Sequence, residues 1–391
     1  MPEAWIIDAK RTPVGRGKPV KGDLSGIHPA HLLAKVQSGL LDSAGVDPKE
    51  LEQIVGGCVT QAGEQSNNVV RNAWLTRGDH YHVAGTTVDA QCGSAQQANH
   101  MVSAFVRAGA VDCGIACGVE VMSHVGLGQN VYHGPGYFQT PDWPWDATPD
   151  QFSTVERIVE KRGITRDQAD EFALASQQKA ARARDEGRFD REIIPIDAPL
   201  VGEDGEPTGE TKLVTADQGI RETTIEGLNG LKPVMETGIH TAGNSSQISD
   251  GAAGVLWMSP DKARELGLKP RARILYDVVV GCDPYYLLDG PIDATEKILK
   301  KSGMNLNDID LFEVNEAFAA VVLSWLQVTG ADPEKLNVNG GAIALGHPVG
   351  ATGSRLIVTA LHELERQDKQ TAYISMCCGS ALGTGTIIER M

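Results

Sequence analysis

The sequence predicts an α/β protein made of two similar halves, with a mostly helical segment inserted between them. Three observations carry this reading. Residues 44–54 lie against residues 302–312 without a gap: Gly45 falls opposite Gly303, Glu50 opposite Asp308, Leu51 opposite Ile309 and Ile54 opposite Phe312. The pattern of residues 112–118 then returns, in the same order, at residues 371–377. An ordered recurrence of this kind marks a duplicated unit. Strand–helix–strand alternation in each copy marks mainly parallel sheets. Finally, residues 126–238 break the pattern and read as an insertion covering one face of the double core.

The elements follow in order. Residues 4–8 form a short apolar run before the turn Arg11-Thr12-Pro13-Val14-Gly15. Residues 29–45 have helical spacing, with Leu32, Leu33, Val36, Leu40 and Leu41 on one side and Gly45 as the stop. Residues 54–59 read as a buried strand, 67–75 as a helix and 86–89 as another strand. Residues 126–151 contain Gly134-Pro135-Gly136-Tyr137 and Trp143-Pro144-Trp145 with little periodicity, and loops of that length are usually functional. Residues 153–187 are helical with a break at 163–167, where Thr165 suits an N-cap. Residues 201–209 read as an acidic turn, and residues 241–258 close the first half with a strand. This gives residues 1–125 plus 239–268 as the first half, 126–238 as the insertion and 269–391 as the second half.

With 391 residues the chain has room for two or three cores. Its net charge of −16 argues against non-specific binding to nucleic acid or anionic membranes, although a local basic pocket can still hold a phosphate. No apolar run approaches the ~20 residues of a membrane helix. The first residues enter a strand-like run at once, so no signal peptide is expected, and the last five carry no peroxisomal address. The seven cysteines show no zinc spacing, which suits reduced thiols in a cytoplasmic protein.

Four places carry residues able to do chemistry. Residues 337–353 crowd Gly340, Gly341, Gly346, Gly350 and Gly353 around His347, a tight loop presenting one imidazole that can pass protons. A histidine in a surface loop is the plain alternative. Cys92, between a strand and a helix of small residues, sits where a helix dipole favours the thiolate; a buried inert cysteine is the alternative. Cys377 and Cys378 end a strand before a glycine-rich turn whose free N–H groups suit an oxyanion. Asn315 and Glu316 end another strand, where they either act at a site or cap the following helix.

Together, the stretches around Cys92, Asn315-Glu316-Ala317-Phe318, Gly346-His347-Pro348 and Cys377-Cys378-Gly379 resemble the thiolase family, the 3-ketoacyl-CoA thiolases and acetyl-CoA acetyltransferases. The resemblance spans nearly the whole chain and includes Thr241-Ala242-Gly243-Asn244-Ser245-Ser246 and Asp250-Gly251-Ala252-Ala253. It implies a duplicated βαβαβαββ core in α-β-α-β-α layers. It implies CoA-dependent cleavage of a 3-ketoacyl-CoA, or the reverse Claisen condensation, with no permanently bound cofactor or metal and with coenzyme A as co-substrate. By the same resemblance Cys92 is the nucleophile, His347 its base and Cys377 the acid/base at the acetyl α-carbon. Asn315 with His347 would hold the enolate, and the N–H groups of Cys92 and Gly379 the thioester oxyanion. Arg221, Ser246 and Gln151 match positions that approach coenzyme A. A homo-oligomer, dimer or tetramer, is expected.

The motifs also depart from the family pattern. Gln91-Cys92-Gly93-Ser94-Ala95 stands where many relatives have Cys-Ser-Ser-Gly or Cys-Ala-Ser-Gly. Ser380 and Ala381 replace a glycine run, and Phe152 replaces the glycine of short-chain biosynthetic enzymes. These changes point away from acetoacetyl-CoA as main substrate. Residues 56–61, 63–68 and 239–243 look most like actinobacterial thiolases of sterol side-chain degradation. A biosynthetic acetoacetyl-CoA thiolase, a ketoacyl-ACP synthase-like enzyme and a non-catalytic acyl-CoA-binding subunit are the alternatives. The second cysteine, Cys377, speaks against the synthase, and retention of Cys92 and His347 speaks against the non-catalytic subunit.

Overall fold

The computed structural model describes residues 3–132, 136–148 and 150–391. Gly134 and Pro135 of the aromatic loop motif lie outside the described residues. The first half contains the strands β1 (Trp5–Arg11), β2 (Gly15–Arg16), β3 (Gln53–Gly57), β4 (Ala84–Val88) and β5 (Cys113–Val121), with helices α1 (Pro29–Ala44), α2 (Val69–Leu75) and α3 (Ser94–Arg107). The insertion follows with α4 (Gln129–Tyr132), α5 (Gln151–Arg162), α6 (Arg166–Asp185), β6 (Ile196–Val201), β7 (Pro207–Val214) and α7 (Ile225–Asn229). After β8 (Ser249–Met258) and α8 (Pro260–Glu265), the second half runs β9 (Ala272–Gly281), α9 (Gly290–Ser302), β10 (Leu311–Val314), α10 (Ala319–Thr329), α11 (Ala342–Leu345), α12 (Thr352–Gln367), β11 (Thr371–Cys378) and β12 (Leu382–Arg390).

The strand order shows the duplication directly. In the second half it is β10-β11-β12-β9; in the first it is β3-β5-β8-β1, with β4 added outside β3. In each half the first pair is parallel and the next antiparallel: β10 with β11 and β11 with β12 in one, β3 with β5 and β5 with β8 in the other. The halves meet where β1 pairs β9 through Trp5 with Arg273 and Ile6 with Ala272. An apolar cluster containing Ala98, Val102, Leu356, Val358 and Leu361 brings α3 and α12 together beneath both halves of the sheet. These equivalent helices form the middle layer. Their amphipathic spacing explains why both are buried over most of their length.

Local signals in the sequence act where they were read. Helix α1 stops at Gly45, and Thr165 with Gln168 makes a reciprocal capping box at the start of α6. Two expectations change. The acidic turn at residues 201–209 belongs to a hairpin of β6 and β7, whose strands were not read because β7 is exposed along nearly its whole length and lacks an apolar face. Asn315 and Glu316 do not cap α10, whose N-cap is Phe318 and which has no side-chain cap. No helix among the described residues is long and apolar enough to cross a membrane.

Candidate active site

Cys92, Asn315 and the Cys377–Gly379 segment stand at ends of sheet strands or in the turns leaving them, while His347 lies in the loop between α11 and α12. Gln91 adopts a left-handed backbone (φ 54°), unusual for a residue with a side chain, and turns the chain so that Cys92 precedes the N-cap Gly93 of α3. The backbone N–H groups of Gly379 and of Cys92 itself favour charge on the Cys92 sulfur. Yet burial outweighs them and pushes the thiol up to about 11. The helix start favours the thiolate, as the sequence suggests, but burial outweighs it. At rest it is a neutral thiol, because the cost of burying a charge exceeds what a helix end returns.

Strand alternation sends Cys377 and Cys378 to opposite sides of β11. Cys377 joins a cluster with Phe318, Leu287, Leu288 and Ala381, while Cys378 joins the cluster that contains Cys92. Burial holds both thiols well above their ordinary range, and charge on Cys92 raises each of them further. A negative charge on Cys92 therefore keeps Cys377 protonated. All seven cysteines are free.

His347 is buried, so it is not a surface-loop histidine. Gly346 before it has φ 107°, which a side chain would strain. The Thr352 hydroxyl donates to the Pro348 carbonyl at 3.0 Å, so its oxygen is left to accept from His347 Nδ1 at 2.7 Å. That fixes the proton on Nδ1 and leaves Nε2 as the free base. The Asn315 amide Nδ2 donates to this Nε2 at 3.3 Å. Burial first, and then the positive charge of buried Arg355, push the imidazole down to about 3. The ring is neutral at physiological pH. Asn315 Oδ1 is buried with no protein partner.

Buried carboxylates and a hydroxyl, some within the motif stretches and some outside them, build the frame. Glu316 accepts from Ser176 Oγ (2.6 Å), Asn337 Nδ2 (2.9 Å) and the Ile343 N–H (3.2 Å), tying the end of β10 to α6 and to the loop before His347. Glu120, at the end of β5, accepts from the N–H groups of Val59, Thr60 and Gly350 at 2.9–3.0 Å. Thr352 lay inside the glycine-rich stretch five residues after His347, a spacing that places it on the first turn of α12. Glu120 gave no sequence signal beyond being a carboxylate in an apolar strand.

The structure unites some of the sequence-derived residues and leaves others apart. Cys92 meets Gly379, Asn315 meets His347, and Val349, two residues beyond His347, packs into the cluster that holds Cys92. Ser246 donates its backbone N–H to the Ala317 carbonyl at 2.9 Å, which sets it beside the Asn315 segment. Gln247 Nε2 donates to the Gly219 carbonyl at 3.1 Å and so brings the Arg221 segment alongside. Arg221 is half-buried, and burial first, then the charge of Arg16, lower its pKa. Gln151 occupies the first turn of α5, next to Phe152, whose ring meets Phe318 edge-on at 5.0 Å. Among the described residues no hydrogen bond joins Gln151, Ser246 and Arg221 to one another.

A double α/β core presenting a buried thiol, a neutral imidazole and a second thiol at its strand ends defines a thiol-dependent acyltransferase. Models of known families make the class specific: the thiolase N-terminal domain matches residues 4–261 and the thiolase C-terminal domain residues 268–390. The chain belongs to the thiolase family. It is 40% identical over 400 residues to a steroid 3-ketoacyl-CoA thiolase, FadA6, of Mycobacterium tuberculosis, covering 100% of this chain and 95% of that protein. It is 43% identical to a 3-ketoacyl-CoA thiolase of Idiomarina loihiensis over the full length of both. Among solved structures, an acetyl-CoA acetyltransferase of Bacillus anthracis superposes with a TM-score of 0.89 at 35% identity, covering 100% of this chain and 99% of that one. Human mitochondrial 3-ketoacyl-CoA thiolase gives 0.88 at 32% identity, with the same coverage.

Proposed function

We propose that this thiolase works in the degradative direction, cleaving a 3-ketoacyl-CoA with free coenzyme A to acetyl-CoA and an acyl-CoA shortened by two carbons. One observation carries the assignment of roles: the Cys92 sulfur meets the Gly379 N–H, and its charge is felt by a second buried thiol, Cys377. Neutral His347 takes the Cys92 proton at Nε2 as the sulfur attacks the keto carbon. The N–H groups of Cys92 and Gly379 receive the oxyanion that forms there. Rupture of the carbon–carbon bond leaves the acyl group on Cys92 as a thioester. The departing acetyl-CoA enolate is held by the newly formed His347 Nε2–H and by Asn315, and it takes its proton from Cys377. Cys377, now a thiolate, takes the proton of the coenzyme A thiol as that sulfur attacks the thioester, and Cys92 leaves and regains its proton from His347 Nε2. Arg221, Ser246 and Gln151 flank the coenzyme. A homo-oligomer, dimer or tetramer, in the cytoplasm belongs to the same reading, and the half-exposed open edge of β4 supports self-association.

A steroid-bearing acyl group is the second reading of the substrate, favoured by the 40% identity to a steroid thiolase. Thiolysis assays with acetoacetyl-CoA, a medium-chain 3-ketoacyl-CoA and a 3-ketoacyl-CoA bearing a steroid ring system test both. A large kcat/KM advantage for either longer substrate supports degradation, and the steroid advantage supports the second reading. Preference for acetoacetyl-CoA overturns both. The roles are tested separately. Cys92→Ala should abolish acyl-enzyme formation, whereas Cys377→Ala should still be acylated by an activated thioester yet lose carbon–carbon cleavage. Near wild-type cleavage by Cys377→Ala would refute its role.

A further inference from the structure

Of the buried imidazoles that the proposed reaction leaves unused, His100, His240 and His362, only that of His240 has a buried ring nitrogen without a partner among the described residues. His240 has a fully buried side chain, and its Nδ1 lies 2.8 Å from Glu156 Oε1. The same oxygen accepts the backbone N–H groups of Ile239 at 3.0 Å and His240 at 3.1 Å. This close approach needs a glycine at 238, where a Cβ would stand 2.6 Å from Glu156 Oε1. Burial works against ionisation of Glu156, but its hydrogen bonds, led by that from His240, hold the carboxyl below its ordinary range. An ionised carboxylate only accepts, so Nδ1 carries a proton and the ring orientation is fixed. Nε2 is left buried and has no partner among the described residues.

The surroundings of His240 say where that nitrogen belongs. Phe152 and Glu156 stand one helical turn apart on the same side of α5. Phe152 meets the Phe318 ring edge-on at 5.0 Å, and His240, held by Glu156, meets the same ring edge-on at 5.3 Å. Phe318 packs in the cluster that contains Cys377, Leu287 and Leu288. Two further buried polar atoms lack partners on the segments that Phe318 joins. One is Asn315 Oδ1, three residues before it; the other is Ser245 Oγ, whose residue bridges its backbone to Phe318. An unmet polar atom in an apolar wall is costly, and the cost is removed when a ligand supplies the partner.

We propose that His240, oriented by Glu156, is a specificity residue of the acyl chamber, its Nε2 hydrogen bonding a hydroxyl group carried by the acyl chain beyond the keto carbon. A hydroxyl both donates and accepts, so it matches the ring in either protonation state. The inference rests on the placing of the acyl group at Cys92 and Cys377 in the function proposed above. The test compares kcat/KM for 3-oxooctanoyl-CoA with that for its monohydroxylated forms, the hydroxyl moved outwards one carbon at a time from the fifth. Wild type should favour at least one hydroxylated form by roughly tenfold. His240→Asn keeps an amide that reaches Glu156 but has no atom at Nε2, and His240→Phe keeps the edge-on contact. In both, the preference should collapse toward one while the unsubstituted chain is still cleaved. If either folded variant keeps the wild-type preference, or if wild type prefers no hydroxylated form, the proposal is overturned. Failure of wild type to cleave any of these chains would instead strike the degradative reading, and this inference with it.

Discussion

At Cys92 two effects oppose each other, and their sizes decide the resting state. The helix start and the Gly379 N–H favour a thiolate, but burial sets the thiol at about 11 against an ordinary 9.0. At pH 8 such a thiol holds about a hundredfold less thiolate. Alkylation of Cys92 by iodoacetamide should therefore be slow at pH 8 and climb steadily toward pH 11. A rate that levels off below pH 8 would show that burial does not dominate. His347, pushed down to about 3 by burial and then by Arg355, is likewise neutral throughout that range, so its Nε2 is unprotonated. Its tautomer depends on Thr352, whose hydroxyl alone receives Nδ1. Thr352→Val keeps the shape and removes that oxygen. Acylation should slow by roughly ten- to hundredfold, the range of a lost positioning contact, while Tm changes little. An unchanged acylation rate would mean that the ring needs no such anchor.

At the scale of elements, the His347 loop is held by the first half of the molecule, although it belongs to the second. Glu120, two residues after Gly118 on β5, accepts the Gly350 N–H, and a Cβ on Gly118 would collide with the Gly350 carbonyl. Gly118→Ala should displace this loop, cutting thiolysis at least tenfold and lowering stability by about 1–3 kcal/mol, as overpacking does; wild-type activity with an unchanged Tm would show that the loop yields freely. Such contacts between distant segments divide what the sequence reveals from what it hides. Helices α1 and α6 were legible because apolar spacing and capping are local. The duplication was legible because each copy keeps the same order of small, acidic and apolar residues. The exposed strand β7 carried no alternation to read. The reactive residues stood out through glycines and strand ends, but the charge state of Cys92 did not, because burial is a property of the packed molecule. Thr352, Glu120, Glu316 and His240 act through partners 5 to 230 positions away, which no local pattern encodes.

Across the whole molecule, charges lie deep in the interior. Arg11 pairs with Glu192 at 2.6 Å and with Asp217 at 2.7 Å, fastening β1 to the insertion. Arg355 on α12 is buried with no hydrogen-bond partner on its guanidinium, and Glu313 on β10 stands 4.0 Å from it. Glu313 stands two residues before Asn315, and the charge of Arg355 is felt at the His347 imidazole that Asn315 contacts. Burial drives the Glu313 carboxyl from 4.5 up to about 8; Arg355 pulls it down, and Glu316, Glu192 and Glu363 push it up. The sign of the consequence follows from proton counts. Between the unfolded value and about 8 the folded protein holds one more proton than the unfolded chain, so this contribution to stability is lost progressively as pH rises from 4.5 to about 8 and is constant above that. Glu313→Gln is neutral at every pH and removes that loss. Its Tm measured against wild type should therefore climb between about pH 5 and pH 8 and level off above, whatever the starting difference, since the other titrating groups are common to both proteins. Parallel Tm curves across that range would mean that Glu313 is already ionised at neutrality and that Arg355 outweighs the cost of burying it.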